Sequence, residues 1–335
     1  MKKIKVAFVD FGPNSFREEY ILDILRERYE VILSDTPDYL FYSVFSDKHL
    51  NYKEPVRIFV TTENIAPDFS LCDYSIDYEW MDYGDRHLRF PIYGYGKYEK
   101  DYRLCLKKHT RVDKDVLDEK KSFCSFVYSN ADADPLRRGL FEKISKYKTV
   151  ASGGRYMNNI GLRGGVTDKL QFQKKHKFSI ACENSSHPGY TTEKLAESFA
   201  AQTIPIYWGD PWVKRVFNEK AFICVNDFAT LDECVNYVAQ IDQNEMMYIN
   251  MLKEPAVISD EYSIEAMREN MKAFLYNIFD CDKSMAYRRN RVFWGNTYFE
   301  KHSRWKKVFD IVTLNLDIKI LKRVRYIASK VIKMK

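Results

Sequence analysis

The sequence predicts an α/β protein built from two halves that face a cleft, followed by a helical tail. Three observations predict it. Short apolar runs alternate with amphipathic segments, the pattern of βαβ units and parallel sheets. The alternation runs twice along the 335 residues. Between the two series lies the stretch 151–165, which holds five of the 13 glycines and reads as a linker.

Each element has a local reason. Residues 4–9 form a first buried strand, ended by Asp10. Ser15 and Glu18 have capping-box spacing and open a helix to about residue 28. Residues 31–33, 39–43 and 57–61 read as strands, the last delivering Glu63 and Asn64. Residues 121–129 form an apolar strand, and Asp132-Ala133-Asp134-Pro135 leads into a helix at 136–147. The second series gives strands at 178–182, 204–208 and 221–225, with helices at 193–201 and 231–241. From residue 262 onward the spacing is mostly helical. The expected units are therefore 1–150, 151–300 and a tail at 301–335.

Composition narrows the function. Hydrophobic residues at 45% and charged residues at 30% suit a globular chain with a real core. Seven cysteines form no CxxC pair, and His109, His176, His187 and His302 show no ligand spacing, which argues against structural zinc and a disulfide framework. The first apolar run is too short for a signal peptide, and no window of about 18 apolar residues exists, so no membrane span is expected. Net charge is +6, yet residues 301–335 carry eleven Lys or Arg against Asp310 and Asp317, which is +9. The remaining 300 residues therefore sum to −3, and no nucleic-acid surface is expected on the body. In the tail, Ile320, Val324, Ile327, Val331 and Met334 recur at helical spacing, with Lys319, Lys322, Arg323, Lys330 and Lys333 largely on the other side. That pattern suits an anionic membrane surface, or else a helix packed on the body or on a partner.

The chemistry concentrates in residues 182–211, CENSSHPGYTTEKLAESFAAQTIPIYWGDP. A strand delivers Glu183 and Asn184 at its carboxyl end. Pro188 and Gly189 turn the chain, and Thr191 or Thr192 caps a helix whose first turn holds Glu193 and Lys194. A helix N-terminus offers free N–H groups to a pyrophosphate. Lys194 adds a full charge there, and Glu193 can accept bonds from sugar hydroxyls or simply complement the helix dipole. Asp132 and Asp134 form a DxD string, which can hold a divalent cation. Pro135 at a helix start favours ordinary capping instead.

The run from Glu183-Asn184 through Gly189-Tyr190-x-Thr192-Glu193-Lys194 to residues 203–209 (TIPIYWG) resembles the donor-binding motif of the α-1,3/α-1,4-fucosyltransferases, glycosyltransferase family ten, in their bacterial form. Thr62-Glu63-Asn64, Pro67-Asp68-Phe69, residues 72–76 (CDYSI) and Tyr83-x-Asp85-Arg86-x-Leu88-Arg89-x-Pro91 resemble the acceptor-side motif. Asp134-Pro135-Leu136-Arg137 is similar to a segment whose arginine meets the donor diphosphate, and residues 152–159 resemble the loop entering the second domain. The resemblance implies the GT-B arrangement of two facing Rossmann-like domains. It also implies inverting transfer from GDP-β-L-fucose to a glycan hydroxyl, with O3 of N-acetylglucosamine in N-acetyllactosamine the expected acceptor. Another GDP-sugar donor, or a binding module without turnover, are the competing readings.

Inverting transfer needs one general base and groups that stabilise the departing diphosphate. Glu63 is the expected base, with Glu183 next and Asp85 third. Arg137 and Lys194 are the expected diphosphate partners. Asn184 and Tyr190 are expected to hydrogen-bond the donor, and Glu193 to hold a hydroxyl of ribose or fucose. No metal and no cofactor beyond the donor substrate GDP-fucose are required. The expected partners are an oligosaccharide or glycolipid acceptor and, through the tail, an anionic membrane. That places the chain in the cytoplasm, peripheral to the inner face of the plasma membrane.

Overall fold

The computed structural model describes residues 1–12, 16–108, 112, 114–289 and 293–314. Two parallel sheets form its frame. The first holds β1 (Lys2–Val9), β2 (Tyr29–Leu33), β3 (Tyr39–Tyr42), β4 (Val56–Val60), β5 (Tyr74–Asp77) and β6 (His87–Arg89) in the order 2-1-3-4-5-6. With them go α1 (Phe16–Arg26) and α2 (Gly96–Leu106); α3 (Lys114–Glu119) follows, with Val116 and Leu117 packed on the core of the second sheet. The second sheet holds β7 (Ser122–Phe126), β8 (Val150–Ser152), β9 (His176–Cys182), β10 (Ile204–Trp208) and β11 (Ile223–Cys224) in the order 11-10-9-7-8. Its helices are α4 (Pro135–Tyr147), α5 (Lys169–Lys174), α6 (Glu193–Ala200), α7 (Leu231–Gln243) and α8 (Glu245–Lys253). Then come α9 (Ile264–Asp280), α10 (Lys283–Ala286) and α11 (Phe293–Leu314).

The predicted α/β class with two facing halves is what the chain forms. Its central strands are buried along their whole length, as parallel strands covered on both faces must be. Each large apolar side chain so buried contributes roughly 1.5–3 kcal/mol. Asp134 caps α4 through a bond from Leu136 N–H (2.9 Å), with Pro135 in the first turn. Thr230 caps α7 by accepting from Glu233 N–H (3.2 Å).

Three expectations change. The unit boundary falls between β6 and β7, not at residue 150. β7 pairs with β9 (Cys124 opposite Phe178), and its Phe123 and Phe126 fill the second core. The stretch 151–165 is therefore no linker. Asn159 stitches it to β8, accepting from Ser152 N–H (2.7 Å) and donating to Val150 C=O (2.9 Å). Finally, α9 returns to the first half. Met271, Leu275, Ile278 and Phe279 are buried there, the Phe279 ring lies 4.3 Å from that of Tyr39, and Lys2 Nζ donates to Phe279 C=O (2.7 Å). Ser15 of the expected capping box and the amphipathic segment 319–334 lie outside the described residues.

Both sheets reverse direction beside their first strand, between β1 and β3 and between β7 and β9. Ligands bind α/β sheets at the carboxyl ends flanking such a switch point. The α2 and α6 helices pack across the junction, and one apolar cluster runs through both halves, with Tyr93 and Phe217 rings 5.7 Å apart.

Candidate active site

The carboxyl end of β9 opens the second switch point. Glu183 follows directly and is fully buried. Its carboxylate accepts from Thr192 N–H (2.8 Å), Thr192 Oγ1 (2.6 Å) and Lys194 Nζ (3.1 Å). A β-carbon at Gly209 would stand 2.4 Å from Glu183 Cγ, so only glycine leaves room there. Asp210 holds the loop from the other side, accepting from Gly189 N–H (2.7 Å) and Thr191 Oγ1 (2.8 Å). Glu183 is thus sealed beneath the loop, and it cannot take a proton from an acceptor in the cleft. The second choice of base is corrected to a structural carboxylate.

Thr192 spends its hydroxyl on Glu183, so no side chain caps α6. Lys194 Nζ sits over that first turn, 2.7 Å from Thr192 Oγ1 and 3.4 Å from Glu193 Oε1. Burial alone would lower the Lys194 ammonium, but Glu183 and Glu193 outweigh it and hold the group well above the usual lysine range. Burial likewise raises Glu193, and Lys194 and Lys169 pull it net below the usual carboxylate range. Lys169 itself pairs with Glu197 (2.5 Å).

Arg137 lies deeper than expected, at 1% exposure. Its guanidinium sits 4.2 Å from the Tyr128 ring centroid, and Nη2 donates to Asn184 Oδ1 (2.7 Å) and Cys182 C=O (3.1 Å). It backs Asn184 from below the crevice floor. Its neighbour Arg138 is exposed and pairs with Glu142 (2.6 Å). Tyr190 is buried, with its ring 5.1 Å from that of Tyr78 across the cleft. Burial and the Glu183 charge push its hydroxyl up, and Lys194, Glu63 and Glu193 act on it as well. Tyr190 therefore stands within electrostatic reach of both the expected base and the expected diphosphate partner.

Glu63 follows β4 on the facing sheet and is exposed. Its N–H donates to Thr61 Oγ1 (3.1 Å), and its carboxylate has no ion-pair partner among the described residues. The turn that carries it is pinned on both sides. Arg17 Nη1 donates to Thr62 Oγ1 (2.7 Å), and Tyr78 Oη donates to Asn64 Oδ1 (2.7 Å). Asn64 Nδ2 in turn donates to Ser185 Oγ of the β9–α6 loop (2.6 Å). His187 adds a second bridge, 2.9 Å from Glu79 Oε1. Asp85, the third choice, is corrected. It precedes β6, at the end of a parallel sheet opposite to Glu63, and pairs with Arg288 (2.7 Å).

Reading the sequence missed Asn64, Tyr78 and Tyr98 as parts of the site. Asn64 stood beside Glu63 in the quoted motif and could have been found there. Tyr98 sits on the unpredicted α2, and Glu193, Glu197, Lys194 and Arg17 all act on its hydroxyl. Asp134 caps α4. Among the described residues no group of three or more His, Cys, Asp or Glu is placed to hold a metal ion.

Comparison with known proteins gives the family. Residues 6–96 match the family described as alpha-(1,3)-fucosyltransferase FucT N-terminal domain, and residues 117–292 match glycosyltransferase family 10 (fucosyltransferase) C-term. An alpha-(1,3)-fucosyltransferase FucT of Helicobacter pylori is 33% identical over 287 residues, 75% of this chain and 59% of that protein. The chain thus spans a little over half of that relative's length. An alpha-(1,3)-fucosyltransferase B of Drosophila melanogaster is 27% identical over 47% of this chain and 38% of its own. A crystal structure of an alpha1,3-fucosyltransferase with GDP superposes with a TM-score of 0.70 at 28% identity, covering 84% of this chain and 91% of that one. One with GDP-fucose superposes with a TM-score of 0.69 at 27% identity, covering 87% and 94%. Two facing parallel α/β sheets, the 182–211 loop between them and a family match across 117–292 show that the chain belongs to glycosyltransferase family 10, the fucosyltransferases.

Proposed function

We propose that the chain transfers L-fucose from GDP-β-L-fucose to a glycan hydroxyl with inversion, O3 of N-acetylglucosamine in N-acetyllactosamine being the expected position. One observation carries the reading. The turn that carries Glu63, whose carboxylate has no ion-pair partner among the described residues, is tied through Asn64 and Ser185 to the loop that carries Lys194.

In this reading the uncapped first turn of α6 and the Lys194 ammonium receive the diphosphate. Both stabilise the charge that builds on it as the bond to fucose breaks. Arg137 acts through Asn184 and adds positive potential from below. Glu193, held ionised, accepts from a hydroxyl of ribose or fucose, and Tyr190 closes the pocket against the acceptor side. Glu63 takes the acceptor proton as the oxygen attacks the anomeric carbon from the face opposite GDP. These roles need no metal.

The donor is tested by thermal shift with GDP, UDP, CMP, GDP-fucose and GDP-mannose, since a ligand that binds only the native state raises Tm. Selective stabilisation by GDP and GDP-fucose is expected. Preference for UDP or CMP would overturn the donor assignment.

The same proposal includes an anionic membrane surface for the C-terminal region, at the inner face of the plasma membrane. Phe293, Trp294 and Trp305 of α11 are exposed, with Lys301 and Arg304 on the same helix. Among the described residues no helix is long and apolar enough to cross a membrane. Deleting residues 316–335 should abolish binding to anionic liposomes while transfer survives; unchanged liposome binding refutes a membrane role for residues 316–335.

A further inference from the structure

Residues 78–81 leave β5 as a strap that lies along the loop leading into α6. Glu79 Oε1 stands 2.9 Å from His187 Nε2 of that loop, and the Tyr78 ring lies 5.1 Å from that of Tyr190. The Tyr78 hydroxyl donates to Asn64 Oδ1 (2.7 Å), and Asn64 Nδ2 donates on to Ser185 Oγ (2.6 Å). A β-carbon at Gly189 would stand 2.8 Å from the Tyr78 carbonyl oxygen and 3.0 Å from Trp80 Cδ1, so the loop rests directly on the strap. Glu63 precedes Asn64 in the chain. The strap therefore meets both the turn that carries the expected base and the loop that carries the expected diphosphate partner.

The strap belongs to no helix or strand, so side chains must fix its course. His87, the first residue of β6, ties both its ends. β6 runs parallel to β5 with Ser75 opposite His87, and alternation puts residues 75, 77 and 87 on one face. His87 Nε2 lies 3.0 Å from Asp77 Oδ1, where the strap begins. His87 Nδ1 lies 3.0 Å from the Met81 carbonyl oxygen, where it ends. With a carboxylate at one nitrogen and a carbonyl at the other, the ring donates from both. Asp77 is held in turn, since Ser75 Oγ donates to Oδ2 and Glu79 N–H donates to Oδ1 (2.9 Å). The His87 and Asp77 side chains are 2% and 0% exposed, so water scarcely competes for these bonds. Burial, then the charges of Glu79 and Asp77, push the Tyr78 hydroxyl up, which keeps it a donor toward Asn64.

We propose that His87 is a positioning residue for the transfer. It touches no substrate. By tying the strap at both ends it sets Tyr78 and Glu79, through them Asn64 and His187, and so the spacing between the Glu63 turn and the donor loop. The inference rests on the fucosyl-transfer reading above, in which Glu63 must meet an acceptor oxygen in line with the sugar held at α6. A misplacement of about 1 Å in such a geometry can cost on the order of 10²-fold in rate.

Two variants of the full chain cut one tie each. A glutamine amide takes the place of Nε2 and an asparagine amide that of Nδ1, so His87→Gln keeps the bond to Asp77 and His87→Asn the bond to Met81. Each should lower kcat for transfer from GDP-fucose to N-acetyllactosamine by roughly 10- to 100-fold, with GDP-fucose affinity by calorimetry at the native value. Added to Asn64→Ala, either should slow transfer little further, because both act through one bridge. Tyr78→Phe, which frees Asn64 from the strap, should show the same split and carries the test where a His87 variant fails to fold. Native kcat in these variants overturns the proposal. So do losses that multiply with that of Asn64→Ala. A fall in the number of GDP sites with kcat per site unchanged overturns it too, being the mark of a purely structural role. If the native chain transfers no fucose from GDP-fucose, the fucosyl-transfer reading has failed. Amide hydrogen exchange then judges the tie alone: exchange across 185–192 should quicken in His87→Gln, and unchanged exchange overturns the inference.

Discussion

Replacing Lys194 by Met tests whether one ammonium both holds the donor loop together and faces the donor. Glu183 is fully buried, and Lys194 Nζ, 3.1 Å away, is the ion-pair partner it has among the described residues. Breaking a buried pair by removing one partner costs about 3–5 kcal/mol. Thr192 keeps two bonds to Glu183, which puts the expectation near the lower figure. For a chain of 335 residues that is a fall in Tm of about 4 °C. The pH dependence has a definite sign. Burial raises Glu183 above its unfolded value despite Lys194, so the folded form binds the proton more tightly. Stability therefore falls as pH rises through the window between those two values. Without Lys194 the window extends upward, and the deficit of Lys194→Met should grow as pH rises above the ordinary carboxylate range. The Lys194 charge itself, raised in the folded state, contributes fully below the usual lysine range and is lost only above it. Scanning calorimetry of Lys194→Met, Glu183→Gln and the double variant over that range measures the coupling. The double variant should recover most of the stability, yet none of the affinity for GDP. Additive losses, or a deficit that does not change with pH, would refute the pairing; restored GDP affinity would refute direct contact between Lys194 and the diphosphate.

Three further outcomes follow from the same geometry. Gly209→Ala drives a β-carbon into Glu183 and should cost about 1–3 kcal/mol in denaturant titration, with weaker GDP binding; native-like stability would mean the loop can shift freely. Asn64→Ala cuts the bridge from the Glu63 turn to Ser185 and should lower kcat with GDP affinity held, whereas a loss confined to GDP binding would assign Asn64 to the donor. Asp85→Asn removes an exposed pair at the far end of the sheet, worth about 0–1 kcal/mol, and transfer rates should stay at the native level; a collapse in kcat would return Asp85 to the chemistry.

Much of the frame was legible because parallel strands buried on both faces must be nearly all apolar. β4, β9 and β10 announce themselves in this way. β5 and β6 do not. They are four and three residues long and carry Ser75, Asp77 and His87, which are tolerated because they bond one another, His87 Nε2 lying 3.0 Å from Asp77 Oδ1. Composition could not distinguish a linker from a long loop stitched to one strand, which is why 151–165 misled. Nor could helical spacing say which core α9 would cover. In the site, the 182–211 string marks the loop that carries Glu183, Glu193 and Lys194. It could not rank two glutamates that each follow a strand. The two differ in depth, Glu63 exposed and Glu183 buried, and that depth depends on Gly209, Thr192 and Lys194 closing over the second. Arg137 was read as a diphosphate partner, and first-turn spacing on α4 says nothing of the burial that leaves it 1% exposed.

The most direct test of the central claim joins binding and turnover at Glu63. Transfer of labelled fucose from GDP-fucose to N-acetyllactosamine is measured for the native chain and for Glu63→Gln, with GDP-fucose affinity measured by calorimetry on both. The account predicts unchanged affinity and transfer reduced roughly 10²–10⁴-fold, the usual contribution of a general base. Transfer at the native rate by Glu63→Gln, with affinity intact, would contradict it.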